Sequence, residues 1–290
     1  MKKFHSAFSL IELSIVILII GILIAGVTQG SRLASQMRLR TASAQTQSSP
    51  ISSIADLTLW LESTSKNSFD NQVTEDTIGI PAWYDINPQK TEKYNATQTT
   101  TNKQAKYSAN AINGLPAVKF DGTDDDFSLG NFSADSNVSM FFVIKPTTSH
   151  VEGLIDSSPG VEYTLRNYCE SGCSNDGQFS WWNSGTAPAV TLGLTALTPA
   201  IIYIQTTFDA EISPARTLTY YQNGTLISNI IDTTIGPVNW SSPRIGSINN
   251  TLVFYDGFVG EIVIFSHALK TEERNSVTAY LGKKWGIKTN

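Results

Sequence analysis

The chain has 290 residues, with 20 Lys and Arg against 25 Asp and Glu, a net charge of −5, 16% charged residues and a mean hydropathy of −0.09. This is the composition of a mildly acidic globular protein, and with its cations scattered it excludes an electrostatic nucleic-acid binder. The only histidines, His5, His150 and His267, stand at no metal-ligand spacing from one another or from the two cysteines, which excludes a zinc centre.

In chain order, residues 1–7 form a short segment carrying Lys2 and Lys3, and an apolar run from Phe8 to Val27 follows, in which Glu12 is the only formal charge. The run is about 20 residues, or ~30 Å as a helix, the thickness of a bilayer core. It is too long for a signal-peptide core and ends in no small-x-small cleavage pattern. An acid in mid-bilayer costs ~3 kcal/mol, so Glu12 calls for a cationic partner, which a plain anchor does not supply. Cleavage between Ala7 and Phe8 would supply one, an α-ammonium one helical turn from Glu12, within the subunit or from a neighbour. Lys2 and Lys3 favour a cytoplasmic amino terminus, nearly balanced by Arg32, Arg38 and Arg40 beyond the run.

This stretch resembles the type IV prepilin leader, in which a basic leader ends in Gly or Ala, Phe follows and Glu is the fifth mature residue. Ala7 stands where Gly is usual, and Gln29 where many major pilins have a helix-kinking proline. The resemblance implies a prepilin peptidase that cuts before Phe8 and methylates the new amine, and assembly with other pilin or pseudopilin subunits through the helix, with Phe8 and Glu12 as assembly residues. It also implies a single-pass inner-membrane precursor with an exported head, later a periplasmic or extracellular filament.

Beyond Ser31 the helix-forming composition persists to Gln47, with Leu33, Met37 and Leu39 or Ala42 at near-helical spacing. Pro50, amid Ser, Thr and Gln, ends the helix. The expected division is a leader over 1–7, a membrane and filament-core helix over 8–49, a linker over 50–56 and a head over 57–290. The head reads as short strands, among them Ala117–Phe120, Val138–Ile144, Val161–Leu165, Phe179–Trp182, Ile201–Thr207, Leu218–Tyr221, Thr225–Ile227 and Glu261–Phe265, with Asn223-Gly224 as a type I′ hairpin signal. Strands without interleaved helices predict a mainly β fold, an antiparallel β-sandwich or jelly roll. One short helix closes the chain, capped by Thr271, with Glu272 and Glu273 in its first turn, Val277, Tyr280, Leu281 and Trp285 on one face, and Gly286 as its stop.

The head resembles the LamG-like, or concanavalin A-like, jelly-roll family. The residues that carry this are Leu57–Glu62, Trp83-Tyr-Asp85, Ile112–Asp124, and Gly260–Phe265 with the closing helix to Gly286. The family implies a binding scaffold more readily than any one reaction. No paired-carboxylate run and no Ser/His/Asp arrangement stands out, with Glu261 alone on its strand and Glu152 and Glu162 ten apart, so no enzyme is expected. Trp181 and Trp182 are strand neighbours and face opposite ways, which puts one of them outside a sandwich; with Asn183, and with Trp240 or Tyr255 as partners, they form the candidate glycan platform. The alternative is that a loop or a subunit covers the outer indole. Asp121, Asp124, Asp125 and Asp126 invite calcium, against the simpler reading of a polar turn. Cys169 and Cys173, separated by Glu-Ser-Gly, read as a local disulfide in an exported protein. Asn-x-Ser/Thr sequons, such as those at Asn95 and Asn223, follow from composition. The large head suggests a minor or tip subunit of a pilus-like filament that adheres to a surface or glycan. The rivals are a pseudopilin of type II secretion and a membrane-anchored lectin or hydrolase that does not polymerise.

Overall fold

A computed structural model describes residues 9–70, 73, 76–131, 137–148, 153–156, 164–166, 178–182, 189–191, 193–208, 216–232, 240, 242–248 and 253–290. The first helix, α1 (Leu10–Gln47), is 38 residues long, about 57 Å, and runs unbroken through Gly21 and Gly26. A capping box opens it: the Ile11 amide donates to Ser9 Oγ at 3.3 Å and the Ser9 amide to Glu12 Oε2 at 2.9 Å. Its apolar stretch has a mean hydropathy of 2.9 with none of it buried, so α1 is long and apolar enough to cross a membrane. Only from Leu39 onward is one face covered, with Ala42 and Thr46 buried against the head. That face repeats at three and four residues, as a helix docked on one side must.

The expected linker is a packed element. Residues Pro50–Ser53 form a 3₁₀ turn with Ile51 fully buried, and Gln89 Nε2 donates to the Ser52 carbonyl at 3.1 Å and the Ile54 carbonyl at 2.5 Å.

The head is an antiparallel sandwich. In its larger sheet the strands run Thr225–Asp232, Arg216–Gln222, Ala200–Phe208, Val138–Pro146, Asp256–Phe265, Leu115–Asp121 and Lys106–Ile112, and Leu57–Glu62 pairs with the free part of Asp256–Phe265. The opposing sheet is built of two- to five-residue strands, among them Gln178–Trp182, Thr164–Arg166, Ile155–Asp156, Phe127–Ser128 and Ala82–Trp83. Two tight turns have left-handed pairs, Asn113-Gly114 (φ 49° and 86°) and the expected Asn223-Gly224 (φ 51° and 85°).

Both faces of the larger sheet are covered. Met140, Phe142 and Ile144 point into the inter-sheet core with Trp83, Phe120 and Phe127, whereas Phe141 and Val143 point the other way, into a second core beneath α1 and the closing helix α2 (Thr271–Trp285). Such central strands read as continuous apolar runs. The N-cap of α2 is Lys270, one residue before the expected Thr271, with its amide donating to Glu273 Oε2 at 2.9 Å; Gly286 (φ 63°) ends the helix as expected.

Candidate functional site

The processing residues Ala7 and Phe8 lie outside the described residues. Glu12 is held by the capping box at the start of α1, so its carboxylate already accepts one backbone N–H of its own chain. This lowers the cost of the acid without removing its charge.

The other end of α1 meets a closed ion cluster. Glu62 and Glu261 face each other as cross-strand partners, and Lys284 of α2 reaches both, Nζ lying 2.8 Å from Glu62 Oε2 and 2.8 Å from Glu261 Oε2. All three side chains are fully buried. Glu261 also accepts from Trp60 Nε1 and Trp285 Nε1, both at 2.8 Å, and from Tyr280 Oη at 3.0 Å. Glu62 accepts from the Thr64 amide at 2.8 Å, Thr64 Oγ1 at 2.7 Å and Ser68 Oγ at 3.3 Å. These donors offset the second negative charge, which one lysine cannot. Burial pushes the Glu62 carboxyl up, but the Lys284 charge and the Thr64 donors outweigh it and hold the group below the usual carboxylate range. Burial likewise pulls Lys284 down, and the two glutamates outweigh it and raise it. Tyr280 Oη lies 3.4 Å from Thr46 Oγ1, which ties the last turns of α1 to the cluster. Gly260 makes the geometry possible, because a Cβ there would sit 2.5 Å from Trp285 Cη2.

Sequence reasoning placed Glu261 alone on its strand and missed this cluster. The signal was there as an acid in each of two apolar strands and a lysine beside Trp285 on the apolar face of the closing helix. Enclosed and bonded on all sides, the paired carboxylates tie two strands of the larger sheet to the closing helix.

The head candidates separate. Trp181 and Trp182 pair with Leu165 and Thr164 across an antiparallel ladder, while Asn183, Cys169 and Cys173 lie outside the described residues. Trp240 and Tyr255 are not surface platforms: they are 1% and 0% exposed, and Tyr255 packs edge-on to Phe120 at 5.8 Å within the inter-sheet core. Asp121, Asp124 and Asp125 come together, each offering an oxygen within 4.8 Å of the others. Burial and the neighbouring Asp121 push the Asp125 carboxyl up to about 7. Asp126 leaves the set because it turns inward to Arg244 Nε at 2.7 Å and Ser247 Oγ at 3.1 Å. Three carboxylates are a partial shell for calcium, which takes six to eight oxygens.

Two clefts flank α1 where it docks. One, of about 400 Å³, lies between Leu39, Lys66, Phe69, Asp70 and Tyr107. The other, of about 360 Å³, lies between Arg38, Gln45, Asn113, Leu115, Lys283 and Trp285.

Residues 2–28 match the family described as the prokaryotic N-terminal methylation motif. No curated protein sequence matches the chain. Among solved structures, domain 4 of AbnA, an extracellular GH43 arabinanase from Geobacillus stearothermophilus in complex with arabinotriose, superposes with a TM-score of 0.52 at 15% identity, covering 78% of this chain and 98% of that one. A GH54 α-l-arabinofuranosidase mutant gives 0.52 at 13% identity, over 71% of this chain and 51% of that one. The binding domain of Paraclostridial Mosquitocidal Protein 1 gives 0.51 at 12% identity, over 80% and 55%. At such identities the likeness is one of fold alone. The methylation motif implies processing by a prepilin peptidase and assembly with other pilin-type subunits. The chain joins a pilin- or pseudopilin-like N-terminus, anchored by an apolar helix before assembly, to a β-sandwich head.

Proposed function

We propose that this chain is a non-enzymatic subunit of a type IV pilus-like filament, with α1 packed in the filament core and the head displayed outward to bind a surface or glycan. The observation that carries the reading is continuity. The methylation motif runs into a helix whose apolar length is uncovered and whose last turns are fixed to the head. Uncovered apolar surface on that scale needs a membrane first and neighbouring helices afterward. The glycan part draws on the sandwich fold, shared with a domain seen with arabinotriose, and on the Trp181-Trp182 strand. The non-enzymatic part draws on Glu62 and Glu261, which are closed in around Lys284.

The test is the intact mass of the membrane-extracted protein together with incorporation of Glu12→Ala into sheared filaments. The mature chain is expected to begin at a methylated Phe8, and Glu12→Ala to insert and fold but stay out of filaments. A product that still begins at Met1, or normal incorporation of Glu12→Ala, overturns the reading.

A further inference from the structure

Opposite charges sit at opposite ends of one strand of the head. At the start of Leu115–Asp121, the cleft between α1 and α2 holds the cations Arg38 and Lys283, and among the described residues neither is ion-paired. Arg38 is set in place by the adjoining turn: a Cβ on Gly114 (φ 86°) would lie 2.6 Å from Arg38 Nη1, so the guanidinium lies across a residue that has no side chain. Lys283 is exposed on the last turn of α2, and Asn113 Nδ2 donates to the Trp285 carbonyl at 2.8 Å, closing that helix end against the same turn. At the far end of the strand, six residues or ~20 Å away, the chain turns through Asp121, Gly122, Thr123, Asp124 and Asp125. Its carboxylate oxygens crowd within 4.8 Å, with Asp121 exposed, Asp124 half-buried and Lys106 offsetting them only in part.

We propose that the acidic turn of one copy seats in the Arg38–Lys283 cleft of the next copy. The occupant follows from charge complementarity: the cleft presents unpaired cations with no carboxylate in its lining, and the turn presents crowded carboxylates at the other end of the same strand. The two patches are different surfaces, so the contact is head-to-tail, the kind that can propagate from copy to copy along a helical array. This rests on the filament reading and deepens it by naming the axial contact between heads. It makes the chain a repeating subunit, at odds with the minor or tip position that head size suggests.

The experiment uses the full chain in cells that process and assemble it, with the filament-incorporated fraction read by immunoblot after shearing. Lys283→Glu and Asp124→Lys, each confirmed as folded by a thermal melt, are expected to cut incorporation about tenfold or more by setting like charges together, and the double variant to recover to within about twofold of wild type. Single variants that assemble like wild type, or a double variant no better than the worse single, overturn the contact. If the wild type never enters filaments, the filament reading fails, and the contact fails with it. If the wild type assembles and the reversals have no effect, the contact alone fails.

Discussion

Replacing Lys284 by Met would leave Glu62 and Glu261 facing each other in a closed site with no cation. Removing one member of a buried ion pair costs about 3–5 kcal/mol. Here two carboxylates are stranded, while Trp60, Trp285, Tyr280 and Thr64 continue to donate to them, so about 4 kcal/mol is expected at pH 7. Against a typical domain stability of about 5–15 kcal/mol this is a large loss, and for a head of this size it lowers Tm by about 10 °C. The pH dependence is more diagnostic. In the wild type Glu62 is held below its ordinary 4.5, so its contribution is present above that value and is lost as pH falls through the folded one; the protein weakens on acidification. Without the lysine, burial and the facing carboxylate outweigh the remaining donors and raise the carboxyls, so the variant binds protons more readily when folded and strengthens from pH 7 toward pH 5. The assay is thermal unfolding of the detergent-extracted full chain across that range, followed by the fluorescence of Trp60, Trp83 and Trp285. A variant within about 1 kcal/mol of wild type at pH 7, or one with the same pH slope, would refute this account.

Arg244→Ala strands Asp126, which is 2% exposed and tied to Arg244, and is expected to cost about 3 kcal/mol by chemical denaturation, whereas Asp124→Ala, at a half-buried position of the turn, is expected to cost under about 0.5 kcal/mol. Asp125 has a folded pKa raised from 3.8 to about 7, so the folded state is favoured by its protonated form and loses that favour as pH rises through 7. Asp125→Asn is accordingly expected to stabilise by about 1 kcal/mol at pH 8 and to make no difference at pH 4. A calcium ion at the turn would reverse the result at pH 8, making the wild type the more stable of the two in added calcium.

What was legible in the chain was local. The apolar run with Glu12, the Asn223-Gly224 turn, the Val277, Tyr280, Leu281 and Trp285 face and the Gly286 stop all depend on neighbours within a few residues, and they stand in the structure as expected. What was not legible depends on residues far apart. Glu62 and Lys284 are 222 positions from each other, and no local pattern announces their contact. Trp240 and Tyr255 lie beside stretches rich in polar residues yet are core, because the twisted sheets close over them. Asp126 looked like the fourth member of an acidic run, but its buried carboxylate is taken up by Arg244 and Ser247, more than a hundred residues away. Pro50 ended the helix as expected, yet the segment after it is pinned by Ile51 and Gln89, a distant side chain.

Because α1 is a single rod from Leu10 to Gln47, its bare stretch between the apolar span and Arg38 behaves as a crankshaft. Each residue of such a rod sets both height, about 1.5 Å, and azimuth, about 100°. Lengthening that stretch by one position would swing the entire head a quarter-turn or more around the axis while lifting it hardly at all, so the direction each head faces is written in the residue count of a segment that, among the described residues, its own head leaves exposed.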